Sequence, residues 1–208
     1  MSFPLPPPGL SETTRATYER EAAAFDAQRP KGLFEAGWLG RMLADVPPGG
    51  AVLDLGCGAG EPIGAFLHAS GHALTGVDFA RPMLDLFACR FPEATAIHAD
   101  MRHLDLGRRF AAIVAWDSFF HLTQDEQRAA LPRIAAHLDA GGRLLVTVGP
   151  EAGEVLGHVN GAPVYHASLA QAEYEAILSQ AGCETEAFVP NDAESHGHTL
   201  LLARRVKF

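Results

Sequence analysis

Cysteine is scarce in this chain: Cys57, Cys89 and Cys183 are odd in number among 208 residues and share no close metal-type spacing. That excludes a disulfide framework and a thiolate metal site, and makes reduced thiols in a cytoplasmic setting the economical expectation. Clusters of positive charge are missing as well. Lys and Arg total 16 against 25 Asp and Glu, the formal charge is -9, and Arg108-Arg109 is only a pair among scattered basic residues. A nonspecific grip on nucleic acid or on an anionic membrane requires clustered cations to displace counterions, so neither partner is expected. There is no continuous apolar stretch of membrane-spanning length. Residues 1–10 hold Pro4, Pro6, Pro7 and Pro8 without a basic start, which argues against a signal peptide and for a flexible arm.

What is present is ordinary for a water-facing globule: 48% apolar and 20% charged residues, enough for one sizeable domain with a full core, over residues 11–208. Ser11 to Gln28 reads helical, with Tyr18, Ala22 and Phe25 at helical spacing, until Pro30 interrupts it. Leu33, Phe34, Gly37, Trp38, Met42 and Leu43 form the apolar face of a second helix, so 11–46 reads as a helical cap stopped by Pro47-Pro48-Gly49-Gly50. Over 51–149, apolar runs at 51–55, 73–78, 94–98, 111–116 and 143–148 alternate with amphipathic segments at 62–70, 82–90 and 125–138. That alternation predicts a parallel sheet covered by helices on both faces. In the tail, 169–180 reads as helix, while 184–189 and 199–204 read as strands with no helix between them, which predicts an antiparallel hairpin over 184–208.

The densest signal is Val52-Leu53-Asp54-Leu55-Gly56-Cys57-Gly58-Ala59-Gly60-Glu61-Pro62, an apolar strand running into a glycine turn that opens a helix. Without Cβ atoms, Gly56, Gly58 and Gly60 allow a sharp turn and let a bulky ligand lie against bare peptide. A dinucleotide fingerprint would place its third glycine where Glu61 stands, and a carboxylate there repels a diphosphate, so a cationic or zwitterionic ligand fits better. Two further apolar runs also end on acids, Asp78 and Asp100. Strand C-termini line one edge of a doubly wound sheet, so Asp54, Asp78 and Asp100 are expected around a single crevice. Each acid has a bland alternative as a cap or turn residue, Asp78 ahead of Phe79-Ala80-Arg81-Pro82 above all.

The glycine run resembles the first motif of class I S-adenosylmethionine-dependent methyltransferases, and the likeness extends over roughly Tyr18 to Arg204. The resemblance implies a three-layer αβα doubly wound fold whose mostly parallel seven-stranded sheet ends in an antiparallel last strand. It implies S-adenosyl-L-methionine as cofactor and S-adenosyl-L-homocysteine as product, with the loop Gly56, Cys57, Gly58, Gly60, Glu61, Pro62 beside the methionine part. Asp54 then holds the methionine end, and Asp78, followed by Phe79, takes the ribose hydroxyls. Asp100 accepts from the adenine amine while Met101 covers the ring, with Arg102 next in the same loop. Tyr18 and Arg29, on leading helices that fold over the cofactor in many relatives, suit a pocket lid and a partner for the methionine carboxylate; a packed Tyr and a surface Arg are the other reading. Cys57 is expected to be a small filler.

The fourth strand empties into Trp116-Asp117-Ser118-Phe119-Phe120-His121-Leu122, too polar and aromatic for a routine loop. In the resembling family this loop touches both cofactor and acceptor, which assigns Trp116 and Asp117 to the cofactor and Ser118, Phe119 and His121 to the acceptor; the acceptor-binding element the family often inserts between strands five and six, here Gly157 to Ser168, adds Tyr165. The Pro-Pro pair of nucleobase and protein-amide methyltransferases is absent, which with the acidic surface points to a small-molecule acceptor, bound by a monomer or homodimer. Sulfonium methyl transfer asks of the protein alignment, water exclusion and, for a hydroxyl acceptor, a base. His121 is the first candidate and His166, within the acceptor-side segment 150–183, the second; a packed or exposed histidine is the plain alternative for each. His196 and His198 lack a third ligand at motif spacing, so no metal is expected. An NAD(P)-dependent oxidoreductase and a cofactor-binding module without transfer activity remain as alternatives.

Overall fold

The computed structural model describes residues 10–159 and 161–207; the expected arm lies, but for Leu10, outside the described residues. In chain order the elements are α1 (Leu10–Gln28), α2 (Ala36–Leu43), β1 (Ala51–Leu55), α3 (Ile63–Ala69), β2 (Ala73–Asp78), α4 (Arg81–Arg90), β3 (Thr95–His98), β4 (Phe110–Ala115), α5 (Gln124–Ala136), β5 (Leu138–Val148), β6 (Gly153–Val159), β7 (Ala162–Ser168), α6 (Gln171–Gln180), β8 (Cys183–Asp192) and β9 (His198–Arg205). Seven strands form one sheet in the order β3-β2-β1-β4-β5-β9-β8, in which β1 to β5 are parallel and β9 runs antiparallel to both neighbours. This is the doubly wound sheet with an antiparallel last strand that the sequence leads one to expect.

Successive strand side chains point to opposite faces, so the unbroken apolar runs of β1, β4 and β5 feed two cores. Leu53, Ile113 and Leu144 pack on one face with Ile134 of α5 and Tyr174 and Leu178 of α6. Val52, Val114 and Leu145 pack on the other with Trp38, Leu39 and Met42 of α2, Leu67 of α3 and Phe87 of α4. Each such side chain, fully buried, contributes roughly 1.5–3 kcal/mol. The start of α5 is fixed by a capping box: Thr123 Oγ1 accepts from the Glu126 amide and Glu126 Oε2 accepts from the Thr123 amide.

One structured piece was not expected. Residues 153–168 form β6 and β7, an antiparallel hairpin in a sheet of their own, where the sequence reading placed only an acceptor-side insertion. Its signal was Asn160-Gly161 between two apolar-containing runs, a common two-residue hairpin turn, and Gly161 has φ +79. The run is weakly alternating because β6 is largely exposed, so periodicity alone does not reveal it. The hairpin matters for position: β7 packs on α1 and on the turn at Phe119–His121, bringing segments distant in sequence to the C-terminal edge of the sheet.

Candidate active site

At the end of β1 the amides of Gly56 and Cys57 both donate to the Val77 carbonyl, at 2.7 and 3.0 Å, which ties the glycine turn to β2. The three glycines serve different ends. A Cβ on Gly56 would lie 2.3 Å from Ser118 Cβ, and one on Gly60 2.4 Å from the Phe91 ring, so these two let the protein pack against itself. A Cβ on Gly58 would meet nothing nearer than Met83 Sδ at 4.0 Å, so here bare backbone faces open space. That space is a cleft of about 700 Å³, mouth included, lined by Tyr18, Arg29, Asp54, Gly56, Cys57, Gly58, Gly60, Glu61, Asp78, Phe79, Trp116, Asp117, Ser118 and His121. Phe25, Asp26, Ala59, Ile63 and Met83 also line it, and sequence reasoning singled out none of them for the site.

The acids divide between two spaces. Asp54, only 4% exposed, has no side-chain hydrogen bond among the described residues; burial pushes its pKa up to about 7, with Arg29 pulling down and Asp78 pushing up. Asp78 accepts from the amides of Gly58 (2.8 Å) and Ala80 (2.7 Å), and burial still lifts it to about 6. Asp78 therefore does structural work in the loop, and each oxygen keeps a lone pair for a hydroxyl. Asp100 is elsewhere: with Met101 and Arg102 it lines an adjoining cavity that shares Phe79, Ser118 and His121 with the first. In place of the expected single crevice there are two cavities with a shared wall. Asp100 caps the turn at Met101–His103 and grips the Arg102 guanidinium, which reaches on to Glu126 at 2.9 Å. Burial pushes the Asp100 pKa up, yet Arg102 holds it below the usual carboxylate range.

Glu61 does not stand free to repel an anion. Its carboxylate pairs with Lys31 at 2.8 Å and Arg90 at 3.6 Å, and Asp26 of α1 pairs with the same two cations, fastening α1 over the cleft. Pro62 lines neither cavity, and α3 starts one residue later. Cys57 is buried with its thiol pKa pushed far up by burial, as suits a filler.

On the opposite wall His121 is buried between two partners. Its Nδ1 faces the Tyr165 carbonyl at 2.9 Å and must donate, which leaves Nε2 to accept from the Tyr18 hydroxyl at 3.1 Å. Burial lowers its pKa to about 4, so the ring is neutral near pH 7. Burial, then Asp117, also raises the Tyr18 pKa, keeping the phenol a donor. Tyr165 serves through its backbone, since its amide donates to Thr14 Oγ1 and its ring lines neither cavity. Phe119 lies wholly in the core and lines neither cavity. His166 stands one ring further out, 4.9 Å from His121 and 4.6 Å from Phe120, and lines neither cavity; burial lowers its pKa.

A further polar group escaped sequence reading. Asp117 Oδ1 lies 2.9 Å from His198 Nε2, its Oδ2 lies 3.7 Å from Arg29, and Arg29 lies 3.9 Å from the fully buried Glu35. His198 thus turns to a carboxylate, and His196 stacks on Phe34 at 4.2 Å. Only the fold could reveal this set, because β9 joins the sheet beside β5, bringing residue 198 next to residue 117.

Residues 52–142 match the family described as "Methyltransferase domain". The curated dTDP-3-amino-3,4,6-trideoxy-alpha-D-glucopyranose N,N-dimethyltransferase of Streptomyces venezuelae is 35% identical over 103 residues, 49% of this chain and 43% of the relative, so the match spans under half of that protein. Among solved structures, the 1,6-didemethyltoxoflavin-N1-methyltransferase of Burkholderia thailandensis superposes with a TM-score of 0.74 at 21% identity, covering 100% of this chain and 94% of its own. An amino pentose methyltransferase of Micromonospora echinaspora, solved with S-adenosylmethionine bound, gives 0.69 at 24% identity, covering 90% and 96%. Residues 52–142 are thus similar to the methyltransferase-domain model, and the sheet and helices built around them have the fold of these solved methyltransferases.

Proposed function

We propose that residues 11–208 act as one S-adenosylmethionine-dependent methyltransferase domain that methylates a nitrogen of a small polar acceptor. The observation that carries the cofactor is Asp54: a buried carboxylate without a hydrogen-bond partner, in the cleft that Gly58 lines with open space about it. Such a group is costly unless a cation meets it, and the ammonium of a methionine end is a fitting one. In this reading Asp78 takes the ribose hydroxyls, Phe79 and Met101 cover an aromatic base, and Arg29, whose guanidinium makes no hydrogen bond among the described residues, meets a carboxylate.

When bound, S-adenosylmethionine supplies a methyl group already activated for displacement. The chain's part is to align, to exclude water and to manage a proton. Tyr18 and the ion-paired end of α1 cover the cleft. His121 is neutral, its Nε2 lone pair is taken up by the Tyr18 hydroxyl, and it is a weak base at a pKa of about 4. A hydroxyl acceptor needs its proton removed as it attacks, whereas an uncharged amine attacks with a lone pair it already has. That difference favours nitrogen, in keeping with the curated relative, an amino sugar N,N-dimethyltransferase. The net charge of -9 supports a small molecule over nucleic acid, and the three free cysteines support a cytoplasmic setting. Among the described residues no helix is long and apolar enough to cross a membrane. Titration calorimetry with S-adenosylhomocysteine tests the reading: micromolar binding is expected, and a folded protein that gives no heat overturns it.

A further inference from the structure

The β6–β7 hairpin leaves one strand edge unused. Tyr165 of β7 sends its amide to Thr14 Oγ1 and its carbonyl to His121, and the Ala167 carbonyl accepts from Gln127, so these groups face away from β6. In the ladder Tyr165 stands opposite Leu156, Ala167 opposite Glu154, and Pro163, which has no N–H, opposite His158. These are therefore the pairs that exchange no hydrogen bonds, and the N–H and C=O groups of Glu154, Leu156 and His158 point outward from the hairpin. Among the described residues they have no backbone partner, since β6 pairs with β7 alone. Free edges are ordinarily blunted by lysine, proline or a bulge. The strand Gly153–Val159 has none of these: its register with β7 is unbroken, and Val155 (64% exposed) and Leu156 (56%) are the exposed large hydrophobics among the described residues.

The strand is complementary to itself. Laid antiparallel to a second copy about a two-fold axis through Leu156, the outward groups of Glu154, Leu156 and His158 all meet counterparts, so the ladder closes with no N–H or C=O of these residues left over. Leu156 then faces Leu156 of the partner subunit, and Val155 comes opposite Gly157 of the partner subunit, which has no side chain to obstruct it. Glu154 faces His158 of the partner subunit and His158 faces Glu154 of the partner subunit, so an acid meets a base on both sides of the axis. An axis through Val155 would set Glu154 against Leu156 of the partner subunit and lose both of these pairs.

We propose that the outer edge of β6 is the interaction surface for a second copy of this chain, the two hairpins joining into one continuous antiparallel sheet with Leu156 on the two-fold axis. Because Tyr165, opposite Leu156, gives the carbonyl that fixes His121, the shared sheet braces that wall of the cleft in both copies. The contact is small, so sedimentation velocity on the full chain should show a dimer that dissociates on dilution, with a Kd of about 1–100 µM. Leu156→Asp, at an exposed position, puts two carboxylates on the axis and should leave monomer alone with the thermal melt unchanged. His158→Glu sets like charges opposite each other and should weaken the dimer about tenfold, whereas His158→Lys should keep it or tighten it. Hydrogen exchange reads the same edge independently: the amides of Glu154, Leu156 and His158 should slow as protein concentration rises. A monomer throughout that range overturns the proposal, and so does a dimer that survives Leu156→Asp, since its interface lies elsewhere. Should Leu156→Asp fail to fold, equal effects of His158→Glu and His158→Lys overturn the register. A monomer in which those three amides are nonetheless slow means that another segment or protein covers the edge, which overturns it as well.

Discussion

The two walls of the cleft are held by different forces. On the β1–β2 side the contacts are local and mostly backbone: Gly56 and Cys57 on the Val77 carbonyl, Asp78 on the amides of Gly58 and Ala80. On the β4–β9 side they join side chains from distant segments: Tyr18 to His121 across 103 residues, His198 to Asp117 across 81, His121 to Tyr165 across 44. A backbone-held wall leaves little room for substitution in its shape, whereas a side-chain-held wall can be retuned one residue at a time. The first suits a fixed cofactor and the second a variable acceptor.

The contrast is broken most directly at Gly60. A methyl group there would sit 2.4 Å from the Phe91 ring and 2.8 Å from the Phe87 ring, at φ +85. Overpacking and a left-handed alanine together should cost Gly60→Ala about 2–4 kcal/mol in urea unfolding. Gly58→Ala, with open space around it, should cost less in stability and act mainly on S-adenosylhomocysteine affinity. Equal stability losses in the two variants would show that the glycines do not divide the work as described.

Asp54→Asn should separate stability from binding. Loss of the charge opposite the ligand ammonium should weaken S-adenosylhomocysteine by about 1.5–3 kcal/mol. The apoprotein should hold its stability or gain, because a buried carboxylate without a hydrogen bond is a liability in the empty cleft. A parallel drop in both would mean that Asp54 is structural.

The same group sets a pH window. The folded pKa values of Asp54 (about 7) and Asp78 (about 6) stand above the ordinary value of 3.8, so the folded state binds more protons than the unfolded one between those limits. Their share of apoprotein stability therefore falls as pH rises from about 4 to 7. His121, lowered to about 4 from 6.5, works the other way, its stabilisation being lost as pH falls below 6.5. An ammonium-bearing ligand requires ionised Asp54, so binding near pH 6.5 should release a proton. Calorimetry in buffers of differing ionisation enthalpy reads this; proton uptake would contradict it.

Legibility in the sequence follows the same division. The glycine turn and the acids at the ends of β1 and β2 announce themselves because their chemistry is contiguous, and the alternation from Ala51 to Val148 gives the sheet. Glu35 gives no such sign and His198 stands out only as a half-formed metal pair with His196: one precedes an amphipathic helix and the other opens an edge-side strand, and their meeting depends on β9 inserting beside β5. Tyr165 is legible only as a member of the acceptor-side segment, although its carbonyl is what fixes His121. A sequence displays side chains, while backbone groups become specific only once β7 packs on the turn at Phe119–His121.

Tyr18→Phe sharpens the division with the smallest expected effect. The hydroxyl donates to His121 Nε2, but both residues line the cleft, so water can replace the lost donor and the stability cost should stay below about 1 kcal/mol. Freed of its partner, the Nε2 lone pair becomes available to an acceptor, while the contacts of Asp54, Gly58 and Asp78 are untouched. S-adenosylhomocysteine affinity should therefore stay within about twofold while methyl transfer to an amine changes by up to about fivefold, a difference of about 1 kcal/mol at most. Should calorimetry instead show cofactor affinity falling tenfold, Tyr18 would belong to the cofactor side, and the wall built from distant side chains would no longer be the acceptor's alone.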